Sequence, residues 1–416
     1  MFESFSIIIA LVSFFSFINY KYLKLPNTIA LMIMSLISVV ALISIQDVFP
    51  ETYRFFCDLV IESNFEKLIL DTLLSFLLFA GALHVNIKDL AHERWSVLLF
   101  ASIGVLISTF LVGSLVYVVA QFLEIDLAYT YALVFGALIS PTDPIAVLAI
   151  LKKYDISKSL KMKIEGESLF NDGIGVVVFT ALLLIAQSKN PELNTEMGQT
   201  IGLLFLEEVG GGLAFGAVIG FLGYFSIKSI KDNPHLAVIM SVAVVVSGYA
   251  VASLLHISGP LATVMAGLII GNKLDLNHHK HKICTEQLNN FWEILDEILN
   301  GVLFVLIGLS LHLISFDQPV IILGGIAIVL VLISRFIAVF LPYSLLRHKE
   351  YSALKTTTIL TWGGLRGGIS LALAFSLSDS AYGDIIIQIT FIIVVFAILV
   401  QGLSIGKLVE RLLPKK

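Results

Sequence analysis

The sequence has 416 residues, of which 57% are hydrophobic and only 14% charged, and its mean hydropathy is +0.95. A soluble domain carries about 25% charge, so a soluble enzyme of two or three domains is excluded. The formal net charge is −5 and no segment is strongly basic, which argues against nucleic acid as a partner.

The apolar residues fall in runs of about 20, the length that crosses a hydrocarbon core of about 30 Å as a helix. In chain order, spans are predicted near 4–20, 28–46, 68–87, 95–122, 128–150, 165–187, 200–228, 235–256, 257–272, 289–314, 320–346, 355–378 and 384–408. The fold class is therefore an all-α polytopic membrane protein with thirteen transmembrane helices. The first run lacks a basic leader and a small-residue cleavage site, and reads as a retained span. The last ends a few residues before Lys416, so no soluble regulatory domain is expected. Cys57 and Cys284 are predicted on opposite sides, which gives neither a disulfide framework nor a thiolate metal site.

Cytoplasmic loops are enriched in Lys and Arg. Of the 26 such residues, Arg54, Lys67 and Lys189 fall in loops on one side, and Arg335 and Arg366 fall within spans. All the others lie on the opposite side. That asymmetry places the N-terminus outside and the C-terminus in the cytoplasm, which requires an odd number of spans.

A charge at mid-bilayer costs at least about 2.5–3.5 kcal/mol, so each one is a functional candidate. In the fifth span, Pro141 and Pro144 bracket Thr142 and Asp143. Each proline removes a donor and clashes with the preceding turn, so the helix is predicted to break and free carbonyls, including that of Thr142. Broken backbone at membrane depth is tolerated where it lines a cavity or is packed in protein. A plain proline kink is the simpler reading, and the carboxylate at the break argues against it.

The sixth span contains GESLFNDG. Ser168 and Asp172 are four apart on one helical face, and Glu167 and Asn171 are four apart on the neighbouring strip. Two carboxylates this close raise each other's pKa unless a cation or Arg366 compensates. The twelfth span holds Arg366 between Gly363, Gly364, Gly367 and Gly368, where glycine weakens the helix. A buried arginine needs an acid, and Glu167 or Asp172 would serve. Arg335 is expected in structural pairing. Glu293, Asp296 and Glu297 are expected at the start of the tenth helix, complementing its dipole.

The interrupted fifth and twelfth spans lie seven spans apart. That places them at matching positions in two six-span halves of opposite topology, a pattern that marks the midplane site of a transporter.

SPTDPIAVLAI, then GESLFNDG, then WGGLRGG, with FWEILDEILNGVLFVLIGL and ISGPLATVMAGLIIG between them, resemble the NhaP/NHE-type monovalent cation–proton antiporters. The resemblance covers nearly the whole chain in order. It implies a prokaryotic inner-membrane homodimer that is a transporter and not an enzyme, and that needs no cofactor. It also implies dimerisation parts near 1–94 and 235–315, core parts near 95–187 and 320–413 with crossing broken helices, and a linker helix at 200–228. Asp172 matches the family's shared cation and proton carrier. Ser168 and the Thr142 carbonyl match the rest of the cation shell. Asp143 matches an aspartate that offsets the half-helix dipoles. Glu167 and Arg366 match a buried ion pair. Asn171 matches the family's neutral partner of the aspartate, which implies electroneutral exchange. The third span departs from the pattern, with Ala80 where many relatives carry a glutamate.

The transported species would be Na⁺ (or Li⁺) and H⁺, competing for Asp172 in 1:1 alternating access. The nearest rival is K⁺/H⁺ exchange. More distant ones are a cation channel and an intramembrane aspartyl protease, the latter only through Tyr382-Gly383-Asp384 at an outer loop. His278, His279 and His281 read as a solvated cytoplasmic loop rather than a metal or pH-sensing cluster.

Overall fold

The computed structural model describes residues 2–51, 54–55, 73–151, 154, 156–187, 196–230, 233–275, 278–346 and 352–413. Every regular element among them is a helix, apart from one isolated antiparallel bridge between Asp143 and Leu365. The helices are α1 (Phe2–Ile18), α2 (Asn27–Ser44), α3 (Leu74–His84), α4 (Ile87–His92) and α5 (Arg94–Phe122). Next come α6 (Tyr129–Ile139), α7 (Ile145–Leu151), α8 (Lys158–Gln187), α9 (Glu196–Ser229) and α10 (Pro234–Leu254). They are followed by α11 (Gly259–Asp275), α12 (His278–Leu309), α13 (Gln318–Leu345), α14 (Ala353–Trp362), α15 (Gly368–Phe375) and α16 (Gly383–Leu412). Both α5 and α16 contain a π-helical turn, at Phe100–Gly104 and Ala397–Gly402.

Among the described residues, nine helices are long and apolar enough to cross a membrane. The other four expected segments hold shorter or interrupted helices: α3, the α6–α7 pair, α11 and the α14–α15 pair. Large apolar side chains such as Leu206, Phe225, Ile239 and Ile333 are exposed. Apolar surface on that scale suits hydrocarbon rather than water.

Two boundaries differ from the hydropathy expectation. α8 begins at Lys158, about two turns before the apolar run. Lys161 and Glu165, four apart and 3.4 Å from each other, support those polar turns. α12 begins at His278, so Glu293, Asp296 and Glu297 lie some four turns inside it. They are not at its N-terminus, and the dipole role expected for them does not hold, because that effect fades within the first turn. His278, His279 and His281 lie in the first turn of α12, so the loop expected there is helical instead; their side chains, that of Cys284 and all of Cys57 lie outside the described residues.

The chain divides into two compact units. The first comprises Met1–Leu73, Ile107–Ser157 and Ile298–Lys416. Within it, α13 packs on α14 and α16, and α15 packs on α6 and α16. This unit carries both interrupted spans.

The second comprises Leu74–Leu106 and Lys158–Glu297. Here α11 is the centre, packed on α3, α9 and α10. Small residues make the approach close, as between helices in lipid. A Cβ on Gly216 would collide with the Ala262 carbonyl, and one on Gly220 would lie 2.9 Å from Ala266 Cα. Trp292 is fully buried against Phe79, with ring centroids 4.6 Å apart, and its Nε1 donates to Ser241 Oγ at 2.9 Å. Around this slab α8 packs against α4, the start of α5, α9 and α11.

Candidate functional site

In the first unit the site begins at the two breaks. α6 ends at Ile139 and α7 starts at Ile145, and α14 ends at Trp362 and α15 starts at Gly368. In a continuous helix residue 144 would donate to the carbonyl of Ser140, but Pro144 has no N–H. Arg366 fills that role: its Nη1 donates to the Ser140 carbonyl, and to that of Pro141 at 2.9 Å. The breaks also bond to each other, Asp143 N–H donating to the Leu365 carbonyl at 2.8 Å.

Asp143 is half-buried, and its carboxylate lies against Gly367, the N-cap of α15. A Cβ on Gly367 would sit 2.7 Å from Asp143 Oδ2. Glycine is therefore required there by space, and the carboxylate faces the positive end of a half-helix. Thr142 is 5% exposed and packs beside Gly364, where a Cβ would lie 3.1 Å from its Cγ2.

Arg335 also belongs to this region. It is 3% exposed, its Nε lies 3.0 Å from a Cβ built on Gly364, and it shares a small cavity with Arg366, Thr361 and Gln401. Its charge at mid-span was the only sequence signal for it. The carbonyls that Arg366 engages, Ser140 and Pro141, were not singled out from sequence, although the donor missing at Pro144 points to the first.

In the second unit, Glu167, Ser168, Asn171 and Asp172 all lie on α8 and all are buried. Leu169, on another side of the helix, is buried too, so the polar stripe is not a solvent face. The early start of α8 extends the stripe in steps of four through Ser159 and Lys163 to Glu167 and Asn171. Lys163 is buried and pairs with buried Glu93 at 3.2 Å. Glu93 precedes α5 and accepts from Ser96 Oγ at 3.1 Å and from Ser159 Oγ. Burial raises the Glu93 pKa, but the Ser159 hydrogen bond and the Lys163 charge outweigh it and hold the carboxyl below its ordinary value. None of this cluster was foreseen, because its acid and its base stand 70 positions apart in the basic loops.

Ala80 is buried on α3. Asp384 lies in the first turn of α16, whose N-cap residue is Tyr382.

Comparison with known proteins matches residues 7–411 to the family model described as sodium/hydrogen exchanger, transmembrane. The Na⁺/H⁺ antiporter NhaP of Pseudomonas aeruginosa is 40% identical over 418 residues, covering 97% of this chain and 95% of that one. The Na⁺/H⁺ antiporter NhaH of Halobacillus dabanensis is 32% identical over 398 residues, covering 94% and 93%. In fold, the sodium proton antiporter MjNhaP1 of Methanocaldococcus jannaschii superposes with a TM-score of 0.74 at 20% identity, covering 99% of this chain and 98% of that one. Buried charge on a polytopic helical scaffold, two hydrogen-bonded helix breaks and these likenesses lead to one conclusion: the chain is an integral membrane protein of the sodium/hydrogen exchanger family, a transporter related to the NhaP antiporters.

Proposed function

We propose that this protein exchanges Na⁺ or Li⁺ for H⁺ at 1:1 by alternating access, with Asp172 binding either the cation or the proton. The observation that carries the reading is the pairing of a buried carboxylate with a buried neutral amide, Asp172 beside Asn171 on α8. A buried carboxylate favours neutralisation, by a proton or by a cation. With Asn171 uncharged, Asp172 supplies one exchangeable charge, so the loaded states are neutral and the empty charged state is the one that resists crossing. Ser168 and the Thr142 carbonyl are the proposed oxygen donors, which suit a small hard cation. Asp143 is proposed to balance the half-helix ends, as its place against Gly367 supports. Glu167 and Arg366 are proposed as the structural ion pair of the core.

The same reading carries thirteen spans in two inverted halves, and a homodimer in the plasma membrane with its N-terminus outside and its C-terminus in the cytoplasm. It keeps the dimerisation parts, core parts and linker helix at the boundaries given above. Sodium is preferred over the potassium alternative because the named relatives are sodium/proton antiporters.

The test is reconstitution in proteoliposomes with a pH-sensitive dye and added Na⁺, Li⁺ or K⁺. Exchange driven by Na⁺ or Li⁺ is expected in the wild type and is abolished in Asp172→Asn with normal protein yield. Persisting exchange in Asp172→Asn removes Asp172 from the role. Exchange driven by K⁺ alone assigns the chain to the rival substrate.

A further inference from the structure

Between α1 and α2 the chain makes a single braced turn. α1 passes into a π-helical turn, Asn19–Leu23, and Pro26 precedes α2. Asn19 is 6% exposed and holds the turn from inside. Its Nδ2 donates to the Leu25 carbonyl at 2.9 Å, and its Oδ1 accepts from the Leu25 N–H at 3.0 Å. Its own carbonyl accepts from the Lys24 N–H at 2.8 Å. Phe5–Leu23 and Asn27–Ser44 are both long and apolar enough to cross a membrane, so the turn between them lies at a membrane surface.

The side chains that this turn presents suit a lipid headgroup. Tyr20 is 85% exposed and Tyr22 66%, and Lys21 and Lys24 are exposed as well. Lys21 Nζ lies 5.2 Å from the centre of the Tyr22 ring and 6.0 Å from that of Phe17. Tyrosine rings settle at the level of the headgroups, and a lysine lays its stem along apolar surface while its ammonium reaches the polar layer. The turn packs on α1 and α2. The only charged residue in those two helices is Glu3, at the far end of α1.

Lys24 adds an independent observation. Its φ is 55°, the left-handed conformation that glycine adopts at helix ends without strain. A side chain there costs stability, so a lysine at this position calls for a use of its charge.

We propose that the α1–α2 turn binds the phosphate headgroup of an anionic phospholipid, with Lys21 and Lys24 supplying the charge and Tyr20 and Tyr22 the interfacial rings. The ligand is a membrane lipid rather than free phosphate, because the charges sit at the ends of two spans among exposed rings. One lysine near an anionic surface is worth about fivefold in partition, so the pair is worth about ten- to thirtyfold.

The experiment follows the melting temperature of the full-length protein in detergent micelles titrated with dioleoylphosphatidylglycerol or dioleoylphosphatidylcholine. The anionic lipid is expected to stabilise wild type more than the neutral one. In K21Q/K24Q the concentration of anionic lipid giving half of that gain is expected to rise about ten- to thirtyfold. Lys407→Gln removes an exposed lysine of α16 and is expected to stay within about twofold of wild type. Lys24→Gly separates charge from backbone. It is expected to melt no lower than wild type with the neutral lipid, yet to need about fivefold more of the anionic one, and it decides alone if the double variant is not recovered. Equal stabilisation of wild type by both lipids overturns the proposal. So does an unchanged response in K21Q/K24Q or in Lys24→Gly, and so does a loss in Lys407→Gln as large as in the double variant, which would show diffuse surface charge only. Inorganic phosphate that reproduces the gain without lipid overturns the assignment to a phospholipid.

Discussion

Arg366 holds open a gap that the prolines create. The carbonyls of Ser140 and Pro141 lie at membrane depth, and Arg366 Nη1 supplies donors to both. Removing the side chain strands two buried acceptors at about 1–3 kcal/mol each. Arg366→Ala is therefore expected to lower yield and melting temperature in detergent, and Arg366→Lys, with one compact donor, to recover only part of the loss. Wild-type melting of Arg366→Ala would refute the bridging role. Gly367→Ala tests the neighbouring contact, since its Cβ would fall 2.7–2.8 Å from the Asp143 carboxylate and Cβ. Overpacking of this kind costs about 1–3 kcal/mol, so the variant is expected to fold with reduced exchange rate. Sequence reasoning found Arg366 and Asp143 because isolated charges in apolar runs stand out. It paired Arg366 with acids and overlooked the backbone, because counting charges does not count orphaned carbonyls.

The helices owe their placement to features of unequal legibility. Both breaks were readable, since Pro141, Pro144 and the glycines around Arg366 change backbone rules locally. The start of α8 was not, because its first turns are polar and hydropathy sees only apolar length. Its first turns meet the corner at Glu93 through tertiary packing that no window of sequence contains. That corner predicts an acid sensitivity. The Glu93 carboxyl titrates below its ordinary 4.5 in the folded chain. Its stabilisation is thus complete above about pH 4.5 and is lost as pH falls through the lower folded value. The melting temperature of wild type relative to E93Q/K163M, compared from pH 7 down to pH 3.5, is expected to fall below pH 4.5, and a difference constant with pH would contradict this. The α9–α11 contact gives a sharper packing test. Gly216 meets the Ala262 backbone, whereas a Cβ on Gly210, one and a half turns earlier, meets nothing within 4 Å. Gly216→Leu is expected to destabilise the protein by about 1–3 kcal/mol or more, while Gly210→Leu stays near wild type. Equal melting of the two variants would show that small-residue packing is not what seats α9.

At the scale of the whole molecule, the charge count becomes a statement about voltage. Only 14% of the residues are charged, and the few buried ones fall into sets with separate tasks. Glu93 and Lys163 cancel within hydrogen-bonding distance, as their 3.2 Å separation shows. Glu167 is assigned to Arg366 in the proposed core pair. Asn171, where a second acid would add a charge, is neutral. In the proposed 1:1 reading Asp172 is the carboxylate neutralised in each half-cycle, by Na⁺ in one direction and by H⁺ in the other, and no net charge crosses the membrane. A single elementary charge moved through the field is worth about 2.3 kcal/mol per 100 mV, so voltage separates the alternatives cleanly. A 1:1 exchanger in proteoliposomes is expected to run at the same rate with the potential free or clamped at zero, and to generate no potential of its own. Asn171→Asp would add a second titratable charge at the site and is expected to make exchange voltage-sensitive if it transports at all. A wild-type rate that rises several-fold under clamp would show that a second charge moves, and would reassign either the Glu167–Arg366 pair or the stoichiometry.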